Sequence, residues 1–94
     1  MPTYSNTLVN SNTIVDAGYD MYLIDATGGN VVMTMFEILS DGHVMIFKRI
    51  DVGGNTVSII PNGVETIDGN STLDLPASSS ISLISNGGNW YTFN

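Results

Sequence analysis

Cysteine is absent from this chain of 94 residues, and basic residues, histidine and tryptophan are scarce. Without cysteine, the protein has no disulfide, no zinc-thiolate site and no thiol nucleophile. A chain of this length buries only about 60–65% of the surface that its unfolded form exposes, so its own core is thin. Additional stability therefore has to come from close packing or from association with other chains.

Positively charged residues are also scarce. Nine acidic residues stand against one lysine and one arginine, which gives a formal net charge of -7. Nucleic acids and anionic membranes are bound by clustered lysine and arginine, so we expect neither as a partner. The sequence opens with no charged segment followed by an apolar run, and no apolar stretch approaches the roughly 20 residues that span a bilayer. We therefore predict no membrane insertion.

Groups with catalytic or metal-binding chemistry are also few. His43 is the only histidine, which excludes a histidine-rich metal site and leaves a serine–histidine–aspartate triad without a supporting motif. The carboxylates are scattered over turns, with no spacing that selects a catalytic pair. We predict no enzyme activity, no catalytic residue, no cofactor and no metal site.

Short apolar segments separated by Gly, Asn, Asp and Pro turns make up most of the chain. A helix over 31–39 competes with a strand over 30–38, but β-branched residues and the flanking turns favour the strand. Turn signals that recur every 8 to 12 residues are typical of an antiparallel sandwich or small barrel. We predict an all-β fold, a small antiparallel, jelly-roll-like β-sandwich of about eight strands. Residues 1–12 form an N-terminal arm or short first strand, and residues 13–94 form a single domain.

Two glycine-containing turns predict hairpins. Val52-Gly53-Gly54-Asn55 predicts that strands 43–51 and 56–60 pair as neighbours, because glycine supplies the positive φ angles of a tight turn. Asn86-Gly87-Gly88 predicts in the same way that strand 80–85 pairs with strand 89–93.

The segment 43–51 is apolar on both of its alternating faces. One face carries Val44, Ile46, Lys48 and Ile50, and the other carries His43, Met45, Phe47, Arg49 and Asp51. A strand without a polar face is expected at the centre of a sheet that is covered on both sides. Because the domain has too little core for both faces, we assign Met45, Phe47 and Arg49 to a contact with a neighbouring subunit.

Lys48 and Arg49 are the only two basic residues, and adjacent residues of a strand point to opposite faces. At least one cation is therefore partly buried and needs a partner. Two arrangements remain open at this stage. Lys48 extends past the sheet edge while Arg49 caps an acidic turn of the same chain, or one of them pairs with an acidic residue of a neighbouring subunit.

Four aromatic residues suggest a different function. Trp90, Tyr91, Tyr19 and Tyr22 could stack on sugar rings in a carbohydrate-binding module. The competing explanation for Trp90, which we favour, is core packing in the last strand, because large aromatic side chains bury much area.

The C-terminal half also carries a run of residues that can be compared with known proteins. Segment 43–94, including FKRIDVGGNTVSIIPNGVETIDGNSTLDL and SISLISNGGNWYTFN, resembles a module near the C-termini of phage tail-fibre and other virion proteins. The matching positions are Lys48, Ile50, Asp51, Gly54, Asn55, Thr56, Val57, Ile59, Pro61, Gly63, Glu65, Thr66, Ile67, Asp68, Gly69, Asn89, Trp90 and Tyr91. With the similar region 15–36, the resemblance covers about residues 13–94.

This resemblance implies a virion structural protein, a homotrimeric fibre or spike head. Its partners would be copies of itself, other virion proteins and a host-surface glycan or protein. The resemblance also implies that Glu65 and Asp68 are hydrogen-bonding residues that hold a turn. The alternative function is the carbohydrate-binding module described above.

Overall fold

The computed structural model describes residues 3–93, which form nine strands and, within that range, no helix. The strands are β1 (Asn6–Val9), β2 (Thr13–Ile14), β3 (Met21–Ile24), β4 (Val31–Thr34), β5 (Val44–Arg49), β6 (Val57–Ile60), β7 (Leu73–Asp74), β8 (Ser80–Asn86) and β9 (Asn89–Phe93). The predicted all-β class is confirmed.

The strands form two sheets. Sheet A has the order β1-β3-β5-β8-β9, and sheet B has the order β2-β4-β6-β7. From β1 to β6 the chain alternates between the sheets, so each strand returns to its own sheet in the same direction as its predecessor. The pairs β1/β3, β3/β5, β2/β4 and β4/β6 are consequently parallel. Only β5/β8, β8/β9 and β6/β7 are antiparallel. The sheets are therefore mixed, and the purely antiparallel pairing expected from the sequence is wrong.

The predicted hairpin between 43–51 and 56–60 is also wrong. Strand β5 lies in sheet A between β3 and β8, whereas β6 lies in sheet B. Neither Gly53 nor Gly54 adopts a positive φ angle. The segment 52–56 instead carries the chain from one sheet to the other, and Arg49 and Asp51 bind its backbone at Gly53 and Asn55.

The C-terminal hairpin is confirmed. Asn86 pairs with Asn89, and Gly87 and Gly88 have φ angles of 61° and 85°. Positive φ at both central residues is the geometry of the two-residue turn that matches the twist of a hairpin. The sequence signal succeeds here because the turn is short enough to force pairing between its flanking strands.

A single core lies between the sheets. Sheet A contributes Tyr22, Ile24, Met45, Phe47, Leu83 and Trp90, sheet B contributes Val31, Met33, Val57 and Ile59, and the connections contribute Val15, Ala26, Met35, Ile67 and Leu75. The rings of Tyr22 and Phe47 stack with centroids 6.0 Å apart across the β3/β5 pair. Burial raises the pKa of the Tyr22 hydroxyl, which accepts the Asp16 N–H at 2.6 Å.

Candidate functional site

The inner face of β5 belongs to the domain's own core. Met45 and Phe47 are 0% exposed and Arg49 is 3% exposed within one chain. All three side chains point between the sheets, because β5 is the central strand of sheet A and its odd-numbered residues face sheet B. The assignment of Met45, Phe47 and Arg49 to a subunit contact is therefore wrong.

Arg49 has a partner within the same chain. Its Nε lies 3.0 Å from Asp51 Oδ1 and its Nη2 lies 3.1 Å from Asp51 Oδ2. The guanidinium also donates to the backbone carbonyls of Leu75, Gly53 and Asn55. Of the two arrangements left open by the sequence, Arg49 thus adopts the one in which it caps an acidic turn of its own chain.

Asp51 completes this buried group. Its Oδ1 accepts the N–H of Ala26 at 2.9 Å, and its Oδ2 accepts the N–H of Gly53 at 3.1 Å. The Arg49 guanidinium, followed by these backbone donors, holds the pKa of the Asp51 carboxyl far below its usual range. The pair is fully hydrogen-bonded, which is the condition under which a buried ion pair is tolerated.

Lys48 lies on the other side of sheet A. Its side chain is half-buried, and Nζ donates to the carbonyl of Ser78 at 2.6 Å. The outward-facing residues of β5 are therefore Val44, Ile46 and Lys48, the reverse of the orientation predicted from the sequence. The strand pattern alone could not decide between its two apolar faces.

The outer face of sheet A is mostly apolar and partly exposed. Each strand contributes its outward residues, which lie side by side in the observed register: Asn6 and Leu8, Met21 and Leu23, Val44, Ile46 and Lys48, Ser80, Ser82 and Ile84, and Tyr91 and Phe93. Leu8 is 59% exposed, Tyr91 47% and Phe93 43%. We call this set of residues the outer face of sheet A. Neighbouring strands are about 4.8 Å apart, so the face is about 19 Å wide between its outer strands.

Negative charge is absent from this face. None of the nine acidic residues lies on any strand of sheet A, and Lys48 supplies the only formal charge there. Sheet B differs in carrying one carboxylate, Asp74, among outward residues that also include Ile14, Val32, Thr34, Ser58 and Ile60. The other eight acidic residues lie outside the strands.

The four aromatic residues proposed for glycan stacking do not form one platform. Trp90 is 0% exposed and Tyr22 is 2% exposed, so neither presents a ring to a ligand. Tyr19 lies before β3 and Tyr91 lies on β9, with β5 and β8 between those two strands. Trp90 packs in the core, as we favoured from its position in the last strand.

His43 belongs to an aromatic cluster. Its ring centroid lies 4.8 Å from that of Phe36 and 6.4 Å from that of Trp90. A cavity of about 220 Å³ lies beside this cluster, lined by Ala17, Phe36, Glu37, Ile38, Leu39, Ser40 and His43. Sequence reasoning missed this cavity, because no motif links residue 17 to the segment 36–43.

Glu65 and Asp68, in the segment 65–70, both accept hydrogen bonds from other parts of the chain. Glu65 Oε2 accepts the N–H of Ile38 at 3.0 Å, and Asp68 Oδ1 accepts the N–H of Thr92 at 2.9 Å. The Thr92 hydroxyl also donates to Asp68, and these bonds lower the pKa of the Asp68 carboxyl. Because Trp90 exchanges backbone hydrogen bonds with Thr66 and Asp68, the segment covers the outer edge of β9.

Within residues 3–93, no three His, Asp or Glu side chains lie close enough together to hold a metal ion. The same part of the chain contains no helix that is long and apolar enough to cross a membrane.

Comparison with family models and with curated protein sequences found no match for this chain.

Proposed function

We propose that this protein is a virion structural domain, a fibre or spike head that assembles as a homotrimer through the outer face of sheet A. The observation that carries the proposal is the contiguous, half-exposed apolar surface across all five strands of that sheet. The resemblance of residues 43–94 to phage tail-fibre modules supports the virion context. Neither the apolar surface nor the resemblance requires a catalytic residue in this protein.

The size of the face favours assembly. Five strands with about four residues each cover roughly 300 Å² in projection, which is the size at which apolar patches on single proteins are often functional. Monomeric proteins usually interrupt such a surface with charges. Here Lys48 is the only charge, and its Nζ is directed to Ser78 at the margin of the sheet.

The charge distribution favours a copy of the same chain as the occupant. Two chains of net charge -7 repel each other wherever their acidic surfaces meet. The outer face of sheet A is free of carboxylates, so copies can meet there without bringing acidic side chains together, and Lys48 of each copy is directed to its own Ser78. Three sheets arranged around a threefold axis would enclose their apolar faces as the sides of a prism, with each copy contacting two neighbours.

Host attachment is the second part of the proposal. Assembly through sheet A leaves other apolar side chains in solvent, including Leu39 at 88%, Val52 at 83% and Val64 at 98% exposure. Exposed apolar side chains on loops are suitable for contact with a host-surface molecule. These three residues are the first positions to substitute in a binding assay.

The test of assembly is the mass in solution by multi-angle light scattering, with Ile46→Asp as the disruptive variant. Ile46 is at the centre of the outer face of sheet A, and its substitution places a carboxylate in every copy. The matched control is Ile60→Asp, because Ile60 is equally half-buried on the outward side of sheet B.

We expect a species near three times 10.0 kDa for the parent and for Ile60→Asp, and a monomer for Ile46→Asp. Far-ultraviolet circular dichroism checks that both variants remain folded. A parent protein that stays monomeric at high concentration contradicts the proposal, as does an Ile46→Asp variant that is folded and still trimeric.

A further inference from the structure

The chain contains two Asn-Gly pairs, Asn62-Gly63 and Asn86-Gly87, and both lie in exposed turns. Gly63 has a φ angle of 55° and Gly87 has a φ angle of 61°. A Cβ atom built at either glycine would meet no other atom within 4 Å. The two pairs therefore offer similar glycine conformations and the same steric freedom.

The two pairs differ in the partner of the glycine N–H. The N–H of Gly87 donates to Asp41 Oδ1 at 2.9 Å. The N–H of Gly63 has no acceptor among residues 3–93. The nitrogen of Gly63 therefore donates no hydrogen bond within these residues, whereas the nitrogen of Gly87 donates to a carboxylate.

This nitrogen is the nucleophile in the deamidation of asparagine. After loss of its proton, the glycine nitrogen bonds to the side-chain carbonyl carbon of the preceding asparagine and closes a five-membered succinimide. The bond from that carbon to the side-chain nitrogen breaks, and ammonia leaves with a proton from water. Water then opens the ring to aspartate or isoaspartate. Glycine favours the first step because it has no side chain to obstruct the approach.

We propose that Asn62 is a site of spontaneous deamidation in the folded protein and that Asp41 protects Asn86 from the same reaction. The negative charge of Asp41 opposes loss of the Gly87 proton, and the hydrogen bond fixes the direction of the nitrogen. The N–H of Gly63 has no such carboxylate acceptor among residues 3–93. The fold thus gives two Asn-Gly pairs of identical chemistry different rates of deamidation.

The reaction has a local structural consequence. The carbonyl of Asn62 accepts the N–H of Glu65 at 2.9 Å, and the Glu65 carboxylate in turn accepts the N–H of Ile38. Isoaspartate lengthens the backbone by one atom at residue 62 and adds a negative charge to the turn. Because this turn follows β6 of sheet B, the reaction leaves the outer face of sheet A unchanged and is independent of the proposed assembly.

The experiment is incubation of the purified protein at mildly alkaline pH, followed by peptide mapping with mass spectrometry that separates aspartate from isoaspartate. We expect Asn62 to react roughly tenfold faster than Asn86, the ratio that one charge-assisted hydrogen bond would produce. In the urea-unfolded chain the two rates should become similar. Equal rates in the folded protein, or faster reaction at Asn86, would overturn the proposal.

Substitution of Asp41 tests whether its carboxylate is what slows the deamidation of Asn86. Asp41→Ala should accelerate deamidation of Asn86 several-fold and leave the rate at Asn62 unchanged. The matched control is Asp74→Ala, which removes an exposed carboxylate from sheet B and should change neither rate. If Asn86 remains protected in Asp41→Ala, the protective role of Asp41 is wrong.

Discussion

The two faces of strand β5 have similar composition and different environments. Met45 and Phe47 on the inner face are fully buried against sheet B, whereas Val44 and Ile46 on the outer face remain partly in solvent. The same contrast separates the two cations, because Arg49 is 3% exposed while Lys48 is half-buried. Apolar composition therefore does not identify the core face of a strand, and the position of the opposite sheet does.

The outer surfaces of the two sheets extend this comparison. Both outer surfaces contain apolar residues, which on sheet B are Ile14, Val32 and Ile60. Only sheet B carries a carboxylate, Asp74, beside Thr34 and Ser58. The absence of carboxylates from the outer face of sheet A is the basis of our proposal that copies of the chain meet there.

The largest expected effect is the loss of Arg49. Arg49→Met leaves the Asp51 carboxylate and three backbone carbonyls without their donor, so we expect a loss of about 3–5 kcal/mol in the free energy of unfolding. Urea denaturation measures this change. The neighbouring substitution Lys48→Met is the control, and it should cost only about 1 kcal/mol because it removes one partly exposed hydrogen bond. Similar losses for the two variants would contradict the difference between the faces.

The apolar residues of β5 should show the same difference at a smaller scale. Met45→Ala creates a cavity between the sheets, and we expect it to lower the free energy of unfolding by about 3 kcal/mol. The adjacent Val44→Ala removes partly exposed atoms and should cost about 1 kcal/mol or less. Thermal or urea unfolding of both variants under conditions that keep the chain monomeric provides the comparison.

A third prediction concerns the stability of the folded protein at low pH. The pKa of Asp51 is lowered in the folded state from its ordinary value of 3.8. Its contribution to stability is therefore complete above that ordinary value and is lost as the pH falls toward the folded-state pKa. Asp51→Asn lacks this contribution, so its stability should be lower at neutral pH and should fall less steeply in acid than that of the parent.

Urea midpoints measured from neutral pH to about pH 3 test this sign. The lowered pKa values of Asp25 and Asp68 act in both proteins, so the difference between the two curves reports on Asp51. Parallel curves would show that the pairing of Arg49 with Asp51 does not set the acid sensitivity.

Much of the local structure could be predicted from the sequence. Alternating apolar residues and turn residues predicted the strands at 43–51, 56–60 and 80–85. Asn86-Gly87-Gly88 predicted the final hairpin, because a two-residue turn places its two flanking strands side by side. The 30–38 prediction was too long, since β4 ends at Thr34. A periodic pattern does not mark the residue at which a strand leaves its sheet.

Pairing between distant strands could not be predicted in this way. The turn at 52–55 contains two glycines and still crosses between sheets, because the Arg49 guanidinium binds the carbonyls of Gly53 and Asn55. That network also involves Ala26 and Leu75, which lie 25 and 26 residues from their partners in the chain. No local signal in the sequence brings these groups together.

The sequence by itself determined the all-β class, the absence of cysteine chemistry, the strongly acidic charge and the need for at least one paired cation on strand 43–51. Each of these follows from composition or from a pattern with a period of two residues. Only the tertiary structure decided that the strands alternate between two sheets, that Arg49 and not Lys48 is the buried cation, and that the outer face of sheet A remains uncovered. The physical reason is that a strand with two apolar faces has no preference of its own, so the face that becomes core is the one against which the other sheet packs.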